Sequence, residues 1–154
     1  MKTEIIQVIC ALLGSFGFSL IFHLKRDKIC LASLGGGLTW FCYLMVYARV
    51  ESQFMAYFWA AVFATFYAEI MARLKKAPVT IFVIPSVVPL IPGGNLYYTM
   101  EYLIQNNSEM MKKKAAETAM LALAIAMGIT MVIMLLDVFF LLIRGRRMGN
   151  QKKC

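Results

Sequence analysis

Long apolar stretches separated by short polar segments constrain the fold of this chain more than any other feature. A helix rises about 1.5 Å per residue, so about 20 apolar residues cross the roughly 30 Å hydrocarbon core of a bilayer. Four stretches reach that length without interruption, and a fifth contains prolines and glycines. The five windows cover about residues 5–22, 29–50, 54–72, 79–104 (the interrupted one) and 115–143. Apolar residues make up 61% of the sequence, above the roughly 45–50% of soluble domains. We therefore predict an all-α, polytopic transmembrane helical bundle of about five spans with one broken helix, forming a single membrane domain over residues 1–154.

The basic residues indicate how the chain is oriented. The net charge is +8, but the basic residues are grouped at the ends of the windows, which is typical of membrane topology and argues against nucleic-acid binding. If the N-terminus is outside and all five windows cross, 11 of the 16 basic residues lie inside. They are Lys25, Arg26, Lys28, Arg73, Lys75, Lys76, Arg144, Arg146, Arg147, Lys152 and Lys153. If residues 79–104 form a re-entrant hairpin instead, nine lie inside against seven outside. We therefore predict five crossings, with the N-terminus outside and the C-terminus in the cytoplasm.

The cysteines and the missing motifs exclude several function classes. Cys10, Cys30, Cys42 and Cys154 form no C-x-x-C pair, so neither a disulfide framework nor a metal site is predicted. The sequence contains no phosphate-binding glycine loop, nucleophile elbow or histidine cluster. ATP-driven transport and hydrolase chemistry are therefore not indicated, and we expect neither a cofactor nor enzymatic activity.

Small residues recur about one helical turn apart in three of the windows. In lipid, helices associate through close packing, and small residues mark the interfaces. The third window carries Ala56, Ala60, Ala64, Ala68 and Ala72; the first carries Ala11, Ser15 and Ser19; and the last carries Ala115, Ala119, Ala122 and Ala126. We expect all three faces to pack against neighbouring helices. The three glycines at residues 35–37 are consistent with tight packing or with a flexible point in the second span. Trp40, Tyr43, Tyr47, Tyr57 and Trp59 are interpreted as interfacial anchors or packing aromatics.

The interrupted window, residues 79–104, reads VTIFVIPSVVPLIPGGNLYYTMEYLI and contains prolines at 85, 89 and 92. Each proline lacks a backbone N–H, so in a continued helix the carbonyls of Ile81, Pro85 and Val88 lose their partners. Unpaired carbonyls cannot face lipid and must meet protein donors, water, a cation or a polar solute.

The residues after these prolines predict where the helix resumes. Gly93 and Gly94 favour a break, and Asn95 is a good N-cap for a second piece that starts near Leu96. The two pieces together are long enough to cross, which predicts a break near mid-membrane. The free N–H groups of residues 95–98 and the positive helix end would favour an anion such as a carboxylate. Broken helices of this kind line substrate sites in secondary transporters, although kinked spans also occur without any ligand.

Two motifs resemble a known family. They are Phe66-Tyr-Ala-Glu69-Ile-Met-Ala-Arg73-Leu-Lys-Lys-Ala77-Pro78 and Pro89-Leu-Ile-Pro92-Gly93-Gly94-Asn95-Leu-Tyr97-Tyr98-Thr99-Met100. Over essentially its whole length the chain resembles the threonine/serine exporter family, and within it the small YjjB-like subunit, which corresponds to the C-terminal membrane half of the fused exporters. The resemblance implies a secondary exporter in the bacterial inner membrane that works with a larger YjjP-like membrane subunit. It also implies threonine, serine or small dicarboxylates such as succinate as substrates. Gly94 and Asn95 stand where the family motif varies, so they are expected to mark a subgroup with a shifted substrate preference.

Three ionisable residues lie at membrane depth. Glu69 precedes Arg73 by four residues, which fits either a helical ion pair or a buried carboxyl that carries a coupling proton. Asp137 fits either a polar contact between helices or a residue that handles protons or substrate. His23 is interpreted as an interfacial histidine rather than a relay.

These observations predict a membrane subunit of an exporter for small amino acids or organic acids. We expect the substrate carboxylate to bind at Pro89, Pro92, Gly93, Gly94 and Asn95, with the hydroxyls of Tyr97, Tyr98 and Thr99 giving selectivity. Glu69 and Asp137 are the candidate coupling carboxylates. A chain of 154 residues holds only one structural unit, so a second one must come from a partner subunit or from a homo-oligomer. The alternative is a non-transporting assembly subunit.

Overall fold

A computed structural model describes the backbone of residues 2–151 and the side chains of residues 3–140. The described chain folds into six α-helices, with a short 3-10 segment, Val88–Leu90, after the fourth. The helices are α1 (Lys2–Ile21), α2 (Arg26–Val50), α3 (Gln53–Leu74), α4 (Thr80–Val87), α5 (Gly93–Ile104) and α6 (Ser108–Gln151). The predicted fold class is confirmed. The side chains of Arg144, Arg146 and Arg147, and all of Lys152, Lys153 and Cys154, lie outside the described residues.

Four helices, α1, α2, α3 and α6, are long and apolar enough to cross a membrane. The pair formed by Thr80–Leu90 and Gly93–Ile104 passes the same test together but is bent by 53° at the break. A hairpin would reverse the chain, whereas a bend of this size lets it continue toward the opposite membrane face.

The packing of α6 on α3 shows independently that the bent pair crosses. Tyr57 in the first turns of α3 shares a buried cluster with Leu121 of α6, and Arg73 in its last turn lies over the ring of Phe140. Residue numbers rise together along the contact, so α3 and α6 are parallel. The segment between two parallel helices has to bring the chain back across the bundle. The protein is therefore a multi-pass membrane protein whose chain traverses the bundle five times, with the bent pair as the candidate for a fifth, broken crossing.

The turns between spans are short because each contains one residue with a left-handed backbone conformation. These residues are His23, Glu51, Lys76 and Asn106, with φ between 47° and 55°. At the end of α2, the N–H of Glu51 donates to the carbonyl of Tyr47. His23 is exposed in the first turn, with its Nδ1 2.9 Å from the carbonyl oxygen of Ile21. This position agrees with the interfacial interpretation.

Helix α3 is the centre of the bundle, and it contacts α2, α4 and α6. Its predicted alanine face is buried along its whole length. Alanines at this spacing let three helices approach the α3 backbone closely, so the face is used inside the chain. A bulky side chain there would disrupt the fold itself.

The small-residue face predicted on α6 does not pack against the bundle. Ala119, Ala122 and Ala126 are exposed, and the buried residues of the helix are Leu121, Ala124, Gly128 and Val132. The face of α6 that contains Gly128 packs on α3 because it lacks a side chain at the closest point. A Cβ on Gly128 would lie 2.7 Å from the carbonyl oxygen of Phe58. Of the predicted face, Ala115 is half-buried and the other three alanines are exposed, so this face is not the one that α6 packs against α3.

The glycines at residues 35–37 are in helical conformation and allow close packing. A Cβ on Gly35 would lie 2.8 Å from the Tyr67 ring, and one on Gly36 would lie 2.6 Å from the Cβ of Ser15. Of the two interpretations that the sequence leaves open, tight packing is the one that these contacts favour.

Candidate functional site

The break in the fourth span, residues 79–104, is formed by its last two prolines. The 3-10 segment Val88–Leu90 ends at Ile91, which has an extended backbone with φ −61° and ψ 121°. Pro92 follows and precedes the first turn of α5. Because Pro89 and Pro92 supply no N–H, the α-helical hydrogen bonds stop here and the chain changes direction.

Helix α5 begins earlier than predicted. It starts at Gly93, with Pro92 as its N-cap residue and no side-chain cap, so the prediction of Asn95 as N-cap with a start near Leu96 is wrong. The carbonyl of Pro92 already accepts the N–H of Leu96 at 3.1 Å. Neither glycine has a positive φ, which means that both serve as helical residues rather than as the break.

This earlier start moves the free backbone donors. Within the described chain, the N–H groups of Gly94 and Asn95 have no hydrogen-bond acceptor, while that of Leu96 is used by Pro92. The predicted set, residues 95–98, is therefore corrected to residues 94 and 95. The carbonyl of Val88 is also not free, because it accepts the N–H of Ile91 at 3.1 Å.

A cavity of about 230 Å³ opens beside the break. Its walls come from α2, α3, the broken span and α6. They consist of Trp40, Gln53, Tyr57, Pro89, Ile91, Pro92, Gly93, Gly94, Asn95 and Leu121. Five of the eight residues predicted to bind substrate, from Pro89 to Asn95, therefore line one cavity.

The other three predicted residues lie outside this cavity. Tyr97 and Tyr98 are exposed, at 66% and 48%, and their rings pack edge to face with each other. The Thr99 hydroxyl donates to the carbonyl of Asn95 at 2.7 Å, within its own helix. A binding role for these three stays a prediction.

Sequence reasoning missed Trp40, Gln53, Tyr57 and Leu121 as cavity residues. Trp40 and Tyr57 were interpreted as anchors or packing aromatics, because nothing local indicates that they approach the break. Trp40 has a buried indole Nε1 without a hydrogen-bond acceptor in the described structure. Buried indole N–H groups normally find a partner, so this donor is available to a ligand.

The cavity lies beside the N-terminal end of α3. It reaches Gln53, the first residue of α3, and Tyr57, one turn further. After the 53° bend, the 12 residues of α5 advance only about 11 Å along the direction of α4, at about 1.5 Å per residue. A position of the break near mid-membrane stays a prediction.

The two candidate coupling carboxylates do not line the cavity. Glu69 binds Arg73 at 2.9 Å within α3, so the ion pair is formed, and the Arg73 guanidinium also lies 3.8 Å from the centre of the Phe140 ring. Asp137 is exposed on α6 and has no partner among the described side chains. A coupling role for either carboxylate stays a prediction.

This arrangement suits an anionic group on a small solute. Two free backbone N–H groups at a helix N-terminus are favourable to a carboxylate, and Trp40 lines the same cavity. Within the described residues, no three His, Cys, Asp or Glu side chains lie together as a metal site.

Comparison with known proteins gives one match. Residues 7–135 match a family model described as threonine/serine exporter, ThrE. No curated protein and no solved structure matches the chain. The matched region runs from the first turns of α1 to near the end of the apolar part of α6, and it includes the break and its cavity.

Proposed function

Since the chain belongs to the threonine/serine exporter family, in which the activity is transport and not catalysis, we propose that the cavity at the break binds the carboxylate of the exported solute. The single observation that supports this most is that one cavity is lined by Gly94 and Asn95, whose N–H groups are free, and by Trp40, whose indole N–H has no partner in the described structure. Threonine and serine, and small organic acids such as succinate, carry the carboxylate that such donors bind.

The cavity is large enough for such solutes and has polar groups for more than one part of them. Gln53 and Asn95 provide amide groups, and Tyr57 provides a hydroxyl, around a volume of about 230 Å³. A carboxylate at the α5 N-terminus would place the amino or hydroxyl groups of the solute toward α3. In this proposal the N-terminus of α5 and Trp40 bind the carboxylate, and the α3 side chains bind the amino or hydroxyl groups of the solute.

Substitution of Gly94 tests the proposal. Gly94 lines the cavity, and a Cβ there meets no atom within 4 Å, so leucine would add bulk at the cavity without disturbing the packing. We expect Gly94→Leu to lower threonine efflux from preloaded proteoliposomes by about tenfold or more, the equivalent of about 1.4 kcal/mol. Gly14→Leu is the matched control, because Gly14 also has open space around it but lies on α1. Equal efflux by the two variants would refute the assignment of the cavity.

We place the protein in the bacterial inner membrane, with the N-terminus outside and the C-terminus in the cytoplasm. The charge distribution supports this orientation. In it, the cavity faces the outer half of the membrane, where an exporter releases its solute.

We also propose that a larger membrane subunit packs against the outward face of α6. Ala119, Ala126, Thr130 and Asp137 are all exposed and are separated by whole turns of the helix. A carboxylate facing lipid is costly, so Asp137 calls for a basic partner group. A second copy joined through the same face about a two-fold axis would place Asp137 near Asp137, which favours a different chain that carries a basic residue at this depth.

The alternative, a non-transporting assembly subunit, finds less support. Of the small-residue faces on which it rests, the alanine face of α3 is buried within this chain, and only the face of α6 is exposed to another protein. Efflux by proteoliposomes that contain the chain and its co-purifying partner, but not by those that contain the partner alone, would decide against it.

A further inference from the structure

Three buried hydroxyl groups in the bundle lack a hydrogen-bond partner. Most helical hydroxyls in the described chain donate to the carbonyl one turn back, as Ser19, Ser33 and Thr65 do at 2.8 Å. The hydroxyls of Ser15, Thr39 and Ser86 do not, although all three side chains are fully buried. In lipid, a buried hydroxyl without a partner is costly, so three in one protein indicate that something else binds them.

The three hydroxyls belong to different helices, and two of them lie against neighbouring glycines of α2. The Ser86 Oγ occupies the space where a Cβ on Gly35 would lie, and the Ser15 Oγ does the same at Gly36. Thr39 follows Gly35 by one turn on the same face of α2. The glycines thus let hydroxyls from α1 and α4 approach the α2 backbone one turn before Thr39.

A backbone carbonyl completes the cluster. The oxygen of Pro85 lies 3.2 Å from the Cβ position of Gly36, on the same side as Ser15. The residue four positions later, Pro89, has no N–H to donate to it, and the N–H of Val88 is used by Ile84. This carbonyl is at the C-terminal end of α4, where the helix dipole is negative.

We propose that Ser15, Thr39, Ser86 and the carbonyl of Pro85 form a binding site for a sodium ion. Uncharged hydroxyl and carbonyl oxygens are hard ligands that suit a hard cation. The cluster includes no carboxylate, so a single positive charge fits it better than a divalent ion. Carbonyls freed at a broken span are the groups that coordinate sodium ions in secondary transporters.

A second cavity lies one helical turn from this cluster. It measures about 240 Å³ and is lined by Gln7, Cys10, Ala11, Trp40 and Pro89. Ala11 and Pro89 are each one turn from Ser15 and Pro85, so an ion that enters the cavity has only one turn of helix to pass. Trp40 and Pro89 also line the cavity at the break, and they separate the ion route from the proposed carboxylate site.

The position of the ion gives it a direct effect on the proposed export function. The carbonyl of Pro85 is one turn before Pro89, where the helical hydrogen bonding fails. An ion held there would fix the end of α4 and so the angle at which α5 leaves the break. Sodium binding and carboxylate binding would then both depend on the angle at the break, which would couple the two.

Binding of radioactive sodium to the purified full chain, with any protein that co-purifies, tests the site. We expect saturable binding that is displaced by unlabelled Na⁺ but not by choline, and an affinity about tenfold lower in Ser15→Ala and in Ser86→Ala. Ser19→Ala is the matched control, because Ser19 is on the same helix, equally buried, and bonded within α1. No saturable binding, or equal affinity in all three variants, would overturn the site.

Thermal unfolding separates an ion from a buried water. If the site binds sodium, NaCl raises the melting temperature of the parent relative to choline chloride, and the rise is smaller in Ser15→Ala and Ser86→Ala. If the two variants are destabilised equally in both salts, the hydroxyls hold a water or a neighbouring group, and the proposal is wrong. Normal sodium binding by a chain without efflux activity would refute the proposed function and leave the ion site standing.

Discussion

Substitution of Gly128 by alanine is predicted to loosen the contact between α3 and α6. The Cβ of an alanine there would lie 2.7 Å from the carbonyl oxygen of Phe58 and 2.9 Å from the Cβ of Ala61. Both atoms belong to the backbone of α3 or are fixed directly to it, so neither can rotate away. The helices would have to separate by several tenths of an ångström along the whole contact.

The size of the effect follows from comparison with a glycine in open space. Overpacking of a well-packed core costs about 1–3 kcal/mol, whereas replacing glycine by alanine in a helix contributes about 0.8–1 kcal/mol of stability in aqueous hosts. Gly14→Ala gains the second effect without the first, because no atom lies within 4 Å of its Cβ position. The difference between the two variants therefore isolates the cost of overpacking, about 1–3 kcal/mol.

Thermal unfolding in detergent micelles measures this difference. At about 2–4 °C per kcal/mol for a domain of this size, Gly128→Ala should melt about 2–12 °C below Gly14→Ala. If the two variants melt together, α6 does not approach α3 at Gly128, and the close contact between these two helices is refuted.

Two further predictions concern single side chains. Tyr67→Phe removes the hydrogen bond from the Tyr67 hydroxyl to the carbonyl of Leu31 at 2.8 Å and should cost about 0.5–1.5 kcal/mol of unfolding free energy; Tyr98→Phe, an exposed residue, should cost nothing measurable in the same assay. Asp137→Asn should leave the melting temperature of the isolated chain unchanged, because the carboxylate has no partner in the described bundle, but should reduce the amount of partner subunit recovered with the tagged chain; full recovery would contradict the proposed contact on α6.

The spans and the place of the break could be predicted because they depend on local chemistry. A run of apolar residues either reaches the length of the bilayer or does not, and a proline removes its N–H in any context. The alanine face of α3 was also predictable, because alanines repeat every fourth residue on only one side of that helix. In each of these cases the local sequence is compatible with only one structure.

The predictions fail where the sequence allows two local structures of similar quality. Helix α6 has small residues on opposite faces, Ala119 and Ala126 on one and Ala124 and Gly128 on the other, and only the α3 backbone decides between them. At the break, Pro92 and Asn95 are both suitable N-cap residues. The carbonyl of Pro92 accepts the N–H of Leu96, so the helix begins after Pro92 and not after Asn95. The cavity residues from α2 and α3 could not be found from sequence, because their approach to the break depends on how three helices pack.

The two tryptophans allow the cavity to be tested by fluorescence. The sequence contains only two, and they differ in position: Trp40 lines the cavity at the break, whereas Trp59 is 50% exposed on the surface of α3. A solute bound between the α5 N-terminus and the indole would change the surroundings of Trp40 alone. Binding of threonine should therefore change the emission of the Trp59→Phe variant and leave that of Trp40→Phe unchanged.

The same variants test whether the carboxylate is the recognised group. An analogue of threonine in which the carboxyl is reduced to an alcohol keeps the other groups but offers no anion to the N–H groups of Gly94 and Asn95. We expect it to produce no change in the Trp59→Phe variant at concentrations where threonine saturates the signal. An equal response to the alcohol would show that the cavity binds the solute without using the helix end. A threonine response in Trp40→Phe would place the solute near Trp59, outside the cavity altogether.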